Sequence, residues 1–331
     1  MFDFHVISAP TIKDILGQHP GLCLDSVGDA YLAHHHGKTV NPDSYFLRFP
    51  EQERNRIIAL PAAMTGEVAG IKWIASFPDN IRSGIPRASA VLLLNDPTTG
   101  YPYACLEGAL ISSARTAASA VLGAYQLNRR RRVCERVAFV GAGVIARGIY
   151  DMFIADGWRF GQVLVHDADA PSAAALAVHA GGEAGPAATG TLAEALSADI
   201  VVFATNAGSP YVVPPMGFAP GQIVLNISLR DLAPELILGA DNYFDDVEHC
   251  MKANTSPHLA ERLVGDRRFV TGTLAELLLG EKTATPSRAQ IFSPFGMGML
   301  DLALGKRIYD AARAQGRATA IDDFFGELKR W

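Results

Sequence analysis

The sequence predicts an α/β protein built on two kinds of sheet. One is a doubly wound parallel sheet in the middle of the chain; the other is a mostly antiparallel sheet in an α+β part. Three observations predict this. Residues 1 to about 110 carry short apolar runs broken by turn chemistry. From about 111 to 295, apolar strands alternate with helical stretches. Inside that region, Gly141-Ala-Gly143-Val-Ile-Ala146 follows a strand pattern and opens a helix pattern. The 331 residues suffice for about two domains. With 49% apolar and 19% charged residues, a disordered chain is excluded.

Each element has its own signal. Tyr45, Leu47 and Phe49 alternate with Phe46 and Arg48, which predicts a half-buried strand. Residues 56–60 and 68–76 predict two more. Residues 88–94 and 103–106 flank Asp96-Pro-Thr-Thr-Gly100, a turn signal that predicts a hairpin. The alanine-rich stretch 112–127 lacks glycine until Gly123 and predicts a helix. Residues 137–140, 163–165, 200–204 and 223–225 predict strands. Ile145, Ile149 and Phe153 recur at helical spacing, with a stop at Gly157. Thr191-Leu-Ala-Glu194 is a capping box. The chain from Leu300 onward is helical in texture and is expected to return to the first part. The expected domains are therefore 1–117 with 300–331, and 118–299.

The net charge of −5 disfavours nucleic acid and anionic membrane as partners, because both need clustered cations. Cys23, Cys105, Cys134 and Cys250 have neither metal-ligand nor redox spacing, which suits a reduced cytoplasm. The start MFDFHVISAPTIKD has no signal-peptide pattern. The uncharged run 200–229 is broken by prolines and glycines, so it reads as strands and loops and not as a membrane span.

The turn at 141–146 has the residue types a pyrophosphate needs. Gly141 permits the tight bend, Gly143 lets phosphate approach the backbone, and Ala146 is small where helix and strand pack. The helix start then offers free N–H groups and a positive dipole end. Asp167 closes the following strand, where a carboxylate accepts from both ribose hydroxyls of NAD and repels a 2′-phosphate. Ala168-Asp169-Ala170 follows with no arginine, so the cofactor reads as NAD rather than NADP.

Arg48 and Lys72 interrupt otherwise apolar strands, and Arg115, followed by Thr116, stands near the start of the alanine-rich helix. Each is either a snorkelling surface cation or part of an anion site. Asp231 follows Asn226-Ile-Ser228, at the carboxyl end of a parallel strand where ligands bind; a turn or capping aspartate is the plainer alternative. His34-His35-His36 does not make a metal site, since consecutive side chains do not converge on one ion from a helix face. The arginines at 129–132 lack an aromatic platform and read as a solvated loop, not as a nucleic-acid site.

These residues resemble a known family. Gly70-Ile-Lys72-Trp, Leu110-Ile-Ser-Ser-Ala-Arg115-Thr-Ala-Ala-Ser-Ala120 and the Gly141 turn look like the ornithine cyclodeaminase/μ-crystallin family over nearly the whole chain. Asn41-Pro-Asp-Ser-Tyr-Phe-Leu-Arg48, Ile227-Ser-Leu-Arg-Asp231 and Phe292-Ser-Pro-Phe-Gly-Met-Gly-Met-Leu-Asp301 look like one branch of it. That branch oxidises a secondary amine joining glutamate to 2,3-diaminopropionate. Leu232-Ala-Pro-Glu235 replaces the glycine-rich, lysine-containing stretch of the cyclodeaminase itself, which speaks against ornithine cyclisation.

The resemblance implies an NAD-dependent oxidoreductase of small amino-acid substrates and a two-domain homodimer. The antiparallel domain would serve substrate and dimer contact; a Rossmann-type domain would hold NAD. It implies that Arg48, Lys72 and Arg115 hold substrate carboxylate, with Lys72 also in the chemistry, and that Asp231 is the acid/base. It implies NAD contacts at Arg115, Thr116, Val144, Ile145, Asp167, Thr205 and Asn226, beside Gly141, Gly143 and Ala146. Phe295 would face the substrate. Arg115 is expected to reach the cofactor phosphates because a helix N-terminus beside it would suit them.

Overall fold

The computed structural model describes residues 3–182 and 185–326. Residues 1–2 and 327–331, at the ends of the expected first domain, and residues 183–184 in the expected second lie outside the described residues. The chain divides into two compact units, Met1–Arg115 with Met297–Trp331, and Thr116–Gly296.

The first unit is built on an eight-stranded sheet. Its order is Thr319–Ala320, His5–Ile7, Pro102–Glu107, Ala88–Asn95, Val68–Ser76, Arg56–Met64 and Thr39–Val40, with Tyr45–Arg48 also paired to Arg56–Met64. Every pairing is antiparallel except His5–Ile7 with Pro102–Glu107. The hairpin turn is held as its residues predict: the Asp96 carboxylate accepts from the amides of Thr98 and Thr99 at 3.1 and 2.7 Å. The sheet has one covered face and one open face. Val68, Lys72, Leu92, Leu94 and Leu106 are buried, while Trp73 and Val91 on the other face are 41% and 40% exposed.

The helix Gly298–Ala314 lies on the buried face. Gly305 permits that approach, since a Cβ there would come within 2.2 Å of Leu92 Cδ2. The helical texture after Leu300 thus belongs to an element packed on the antiparallel sheet.

The second unit holds an eight-stranded, all-parallel sheet. Its order is Ala187–Thr189, Arg159–His166, Val133–Val140, Ile200–Phe203, Ile223–Asn226, Gln290–Ser293, Asp241–Phe244 and Val270–Thr273. The central strands Ile200–Phe203 and Ile223–Asn226 are buried at every position, as a sheet covered on both faces requires. The capping box forms in both directions between Thr191 and Glu194. The α/β class with one parallel and one mostly antiparallel sheet is therefore the one the sequence predicts.

Three local expectations are corrected. Tyr45–Arg48 is a strand, but all four residues are exposed rather than half-buried. Alternation reports a strand's pleat, whereas burial needs an element to cover one face. The strand predicted at 56–60 runs on to Met64 through Pro61. The outer neighbours pair only with residues 56–59 and 63–64, so the missing N–H of Pro61 breaks no ladder bond. The alanine-rich helix is Gly108–Leu127, because the Glu107 carboxylate takes up the amides of Ala109 and Leu110 at 2.8 and 3.0 Å. Arg115 and Thr116 consequently stand about two turns inside it. The helix N-terminus expected to sit beside Arg115 for cofactor phosphate is not there.

Candidate active site

In the second unit the candidate residues follow the carboxyl ends of neighbouring strands. Gly141 follows Val133–Val140, Asp167 follows Arg159–His166, Thr205 follows Ile200–Phe203, and Asn226 closes its strand with Asp231 just beyond. Phe295 follows Gln290–Ser293. One edge of one sheet thus carries all of them, as the parallel topology dictates.

Gly141 adopts φ +98° and its missing Cβ would meet Ala204 O at 2.6 Å, so only glycine fits. Gly143 is the N-cap of the helix Val144–Ala155, and a Cβ there would meet nothing within 4 Å. Val144 is 76% exposed and Ala146 is fully buried; Ile145 is half-buried. Asp167 braces the turn, accepting from the Ala142 amide at 2.7 Å and from the Asp169 amide at 2.8 Å. Asn226 is fully buried, gives its amide to Ser293 Oγ at 3.0 Å, and leaves its Oδ1 without a partner. A buried acceptor left open in this way costs free energy unless a donor arrives.

Asp231 has no exposed surface. It accepts from Thr205 Oγ1 at 2.5 Å and Tyr211 OH at 2.7 Å, and also from Ser228 Oγ. The amides of Tyr211 and Val212 donate to the Asp231 carbonyl at 3.1 and 3.0 Å, which locks the two segments in register. Burial, then the charge of Asp231, pushes the Tyr211 phenol far above its ordinary range. Phe295 packs against the core of this unit. Its turn is pinned by the buried Asp245 carboxylate, which accepts from the amides of Phe295 and Gly296 at 2.9 and 2.7 Å.

In the first unit the cations converge on an acid. Lys72, buried in its strand, donates to Asp301 Oδ2 at 2.6 Å and to Ser112 Oγ at 3.0 Å. Arg115 Nε lies 3.4 Å from Asp301 Oδ1. Asp301 is fully buried in the first turn of Gly298–Ala314. Lys72 and Arg115 thus share the Asp301 carboxylate. Burial pulls the Lys72 ammonium down to about 8, with Asp301 raising it and Arg115 lowering it. Lys72 is therefore no snorkelling surface cation.

Arg48 is different. It is exposed, with its guanidinium 5.2 Å from the Phe46 ring centroid. Register through Arg56 to Ser76 still puts it on the Lys72 face of the sheet.

A model of the ornithine cyclodeaminase/mu-crystallin family matches residues 17–316. The chain belongs to this family. Among relatives, the N-((2S)-2-amino-2-carboxyethyl)-L-glutamate dehydrogenase of Staphylococcus aureus (strain NCTC 8325 / PS 47) is 30% identical over 329 residues, spanning 94% of this chain and 96% of that protein. The alanine dehydrogenase of Archaeoglobus fulgidus is 25% identical over 315 residues, 91% of this chain and 93% of that one. The structure of Thermococcus litoralis Delta(1)-pyrroline-2-carboxylate reductase, in complex with NADH and L-proline, has the same fold. It aligns with a TM-score of 0.85 at 23% identity, covering 96% of this chain and 100% of that chain.

For this member of the ornithine cyclodeaminase/mu-crystallin family, sequence reasoning missed Asp301, Tyr211, Ser228 and Asp245. Asp301 had a signal: it is a lone acid in the otherwise uncharged stretch 289–305. The other three had none, since a tyrosine, a serine and an aspartate in loops are ordinary. Among the described residues no histidine, cysteine and carboxylate group could hold a metal ion, and no helix is long and apolar enough to cross a membrane.

Proposed function

We propose that this protein is an NAD-dependent oxidoreductase that cleaves N-(2-amino-2-carboxyethyl)-L-glutamate oxidatively to 2-oxoglutarate and 2,3-diaminopropionate. The observation that carries the substrate is the end-to-end likeness to the Staphylococcus aureus dehydrogenase, at 30% identity over 94% of this chain.

The cofactor side fits NAD. The cradle at Gly141 and Gly143 leaves room for pyrophosphate at a helix start, Asp167 offers carboxylate lone pairs to ribose hydroxyls, and the orphaned Asn226 Oδ1 suits a carboxamide donor. NAD, when bound, accepts the hydride. Thr205 reaches both this edge and Asp231. Asp167→Ala should lower the preference for NAD over NADP, because the repulsion of a 2′-phosphate goes with the carboxylate. Comparison of kcat/KM for the two cofactors checks this, and an unchanged ratio removes Asp167 from ribose recognition.

The substrate is an anion with three carboxylates, which a protein of net charge −5 holds only by concentrating cations locally. The Lys72–Asp301–Arg115 cluster is the proposed seat of one carboxylate, with Arg115 as a fork and Lys72 as a point charge. Arg48, on the same sheet face, is the proposed holder of a second. The bridging amine must lose its extra proton before hydride leaves the glutamate Cα. Water then adds to the resulting imine carbon, and collapse gives keto acid and amine. Asp231 is the group that finally holds the proton lost by that water and that supplies the proton gained by the leaving nitrogen.

The protein also works as a homodimer in this reading. Tyr45, Ala59, Trp73 and Val91 are paired in register across four strands of the open sheet face, and Tyr45, Trp73 and Val91 are 70%, 41% and 40% exposed. Such a contiguous apolar face marks an association surface. The double variant Trp73→Glu, Val91→Lys should elute as a monomer in size exclusion with light scattering; a dimer that persists places the interface elsewhere.

The function is tested by incubating protein, NAD and the synthetic glutamate adduct, following NADH absorbance and identifying both products by mass. Turnover of alanine, ornithine or a cyclic imine in preference to the adduct overturns the substrate assignment.

A further inference from the structure

The acid/base proposed for this reaction cannot meet a reacting atom directly. Asp231 exposes no surface, and both its oxygens are taken up by hydroxyls of Thr205, Tyr211 and Ser228. All three hydroxyl residues are only half-buried. A carboxylate enclosed in this way exchanges protons through the groups that touch it.

The three are not equivalent. The Thr205 oxygen gives its one proton to Asp231 and accepts the Ala207 amide at 3.2 Å. Ser228 sits on the other carboxylate oxygen, one turn before Asp231 in the same loop. Tyr211 comes from a separate segment and is tied to residue 231 twice, by its amide on the Asp231 carbonyl at 3.1 Å and by its hydroxyl on Oδ1 at 2.7 Å. Burial and the charge of Asp231 also push its phenol upward, which favours the protonated form.

We propose that the Tyr211 hydroxyl is the proton relay between the substrate nitrogen or attacking water and the buried Asp231 carboxylate. The inference rests on the oxidoreductase reading above. In the hydration step a water O–H bond breaks as the water oxygen bonds to the imine carbon, and an O–H bond forms at Tyr211. Tyr211's original proton passes to Asp231 Oδ1, so the carboxylate becomes a carboxylic acid. The return transfer runs from Asp231 through Tyr211 and forms an N–H bond on the nitrogen as its bond to carbon breaks. The phenol ends each cycle neutral, and no electron moves in the relay.

The test is the pH profile of kcat for Tyr211→Phe, beside Thr205→Val and Ser228→Ala, with NAD binding followed by fluorescence. The relay expects kcat in Tyr211→Phe to stay down by about 10²-fold across the whole pH plateau, with NAD affinity within about threefold. If kcat recovers at high pH, Tyr211 merely tunes Asp231 and the relay is overturned. It is also overturned if the plateau loss falls on Thr205→Val or Ser228→Ala instead. Should phenylalanine abolish NAD binding, 3-fluorotyrosine at 211 keeps the packing; the relay expects a plateau shift of threefold or more, and an unchanged kcat overturns it. Wild-type protein that reduces NAD with no amine at all overturns the parent reading and the relay together, whereas an active wild type with an unaffected Tyr211→Phe overturns the relay alone.

Discussion

Asparagine at position 231 should cut kcat by about 10²–10⁴-fold, the range for losing a general acid/base, while NAD binding stays near the wild-type level. The amide keeps the shape of the carboxylate but takes up no proton. It also changes the hydrogen-bond polarity of a fully buried site. Asp231 now accepts from three hydroxyls, and the amide nitrogen of asparagine accepts from none. At least one hydroxyl must turn away or go unpaired, a cost of about 1–3 kcal/mol. Steady-state kinetics with the glutamate adduct, an NAD titration and a denaturation curve separate the two effects. Turnover near the wild-type rate removes Asp231 from the mechanism whatever happens to stability.

Asparagine at position 301 should have the largest effect on the other unit. Asp301 faces two cations, the buried Lys72 at 2.6 Å and the half-buried Arg115 at 3.4 Å. Removing one partner of a buried ion pair costs about 3–5 kcal/mol, because the other charge stays desolvated. Its pH dependence is the sharper signature. In the wild type the Lys72 ammonium is pulled from 10.5 to about 8, so between those values the unfolded chain binds more protons. Stability from this group therefore rises with pH across that window.

Without Asp301 the attraction that raises Lys72 is lost, and the window opens below pH 8. Denaturant curves from pH 6 to 9 should show a deficit that is largest at the acid end and shrinks as pH rises. A deficit independent of pH would mean that Asp301 is not the counter-ion. The KM for a carboxylate substrate should also climb above about pH 8 in the wild type, as Lys72 loses its charge, and climb from a lower pH in Asp301→Asn.

Local chemistry made much of the fold legible. The Gly141 turn, the Thr191 capping box and the Asp96 hairpin each depend on residues within a few positions of one another, and each forms as its residues require. Elements with weaker periodicity were not legible. The helices Ala9–Gln18 and Leu22–His35, and the strands Asp241–Phe244, Val270–Thr273 and Gln290–Ser293, carry short apolar runs that fit more than one state. Exposure of Tyr45–Arg48 was not legible either, since it depends on what covers the strand.

The chain by itself determined the glycine turn at 141–146, the acid that closes the next strand, and the pleat of the exposed strand Tyr45–Arg48. These are properties of neighbours along the polymer, where backbone sterics and side-chain period decide. Only tertiary structure decided the partners of Lys72 and Asp231 and the lowering of the Lys72 ammonium. Asp301 reaches Lys72 across 229 positions because a helix docks on a sheet, and Tyr211 reaches Asp231 because two loops pair. An ionisable group is governed by the charges and hydroxyls within a few ångströms and by the water excluded around it, and folding alone brings those together.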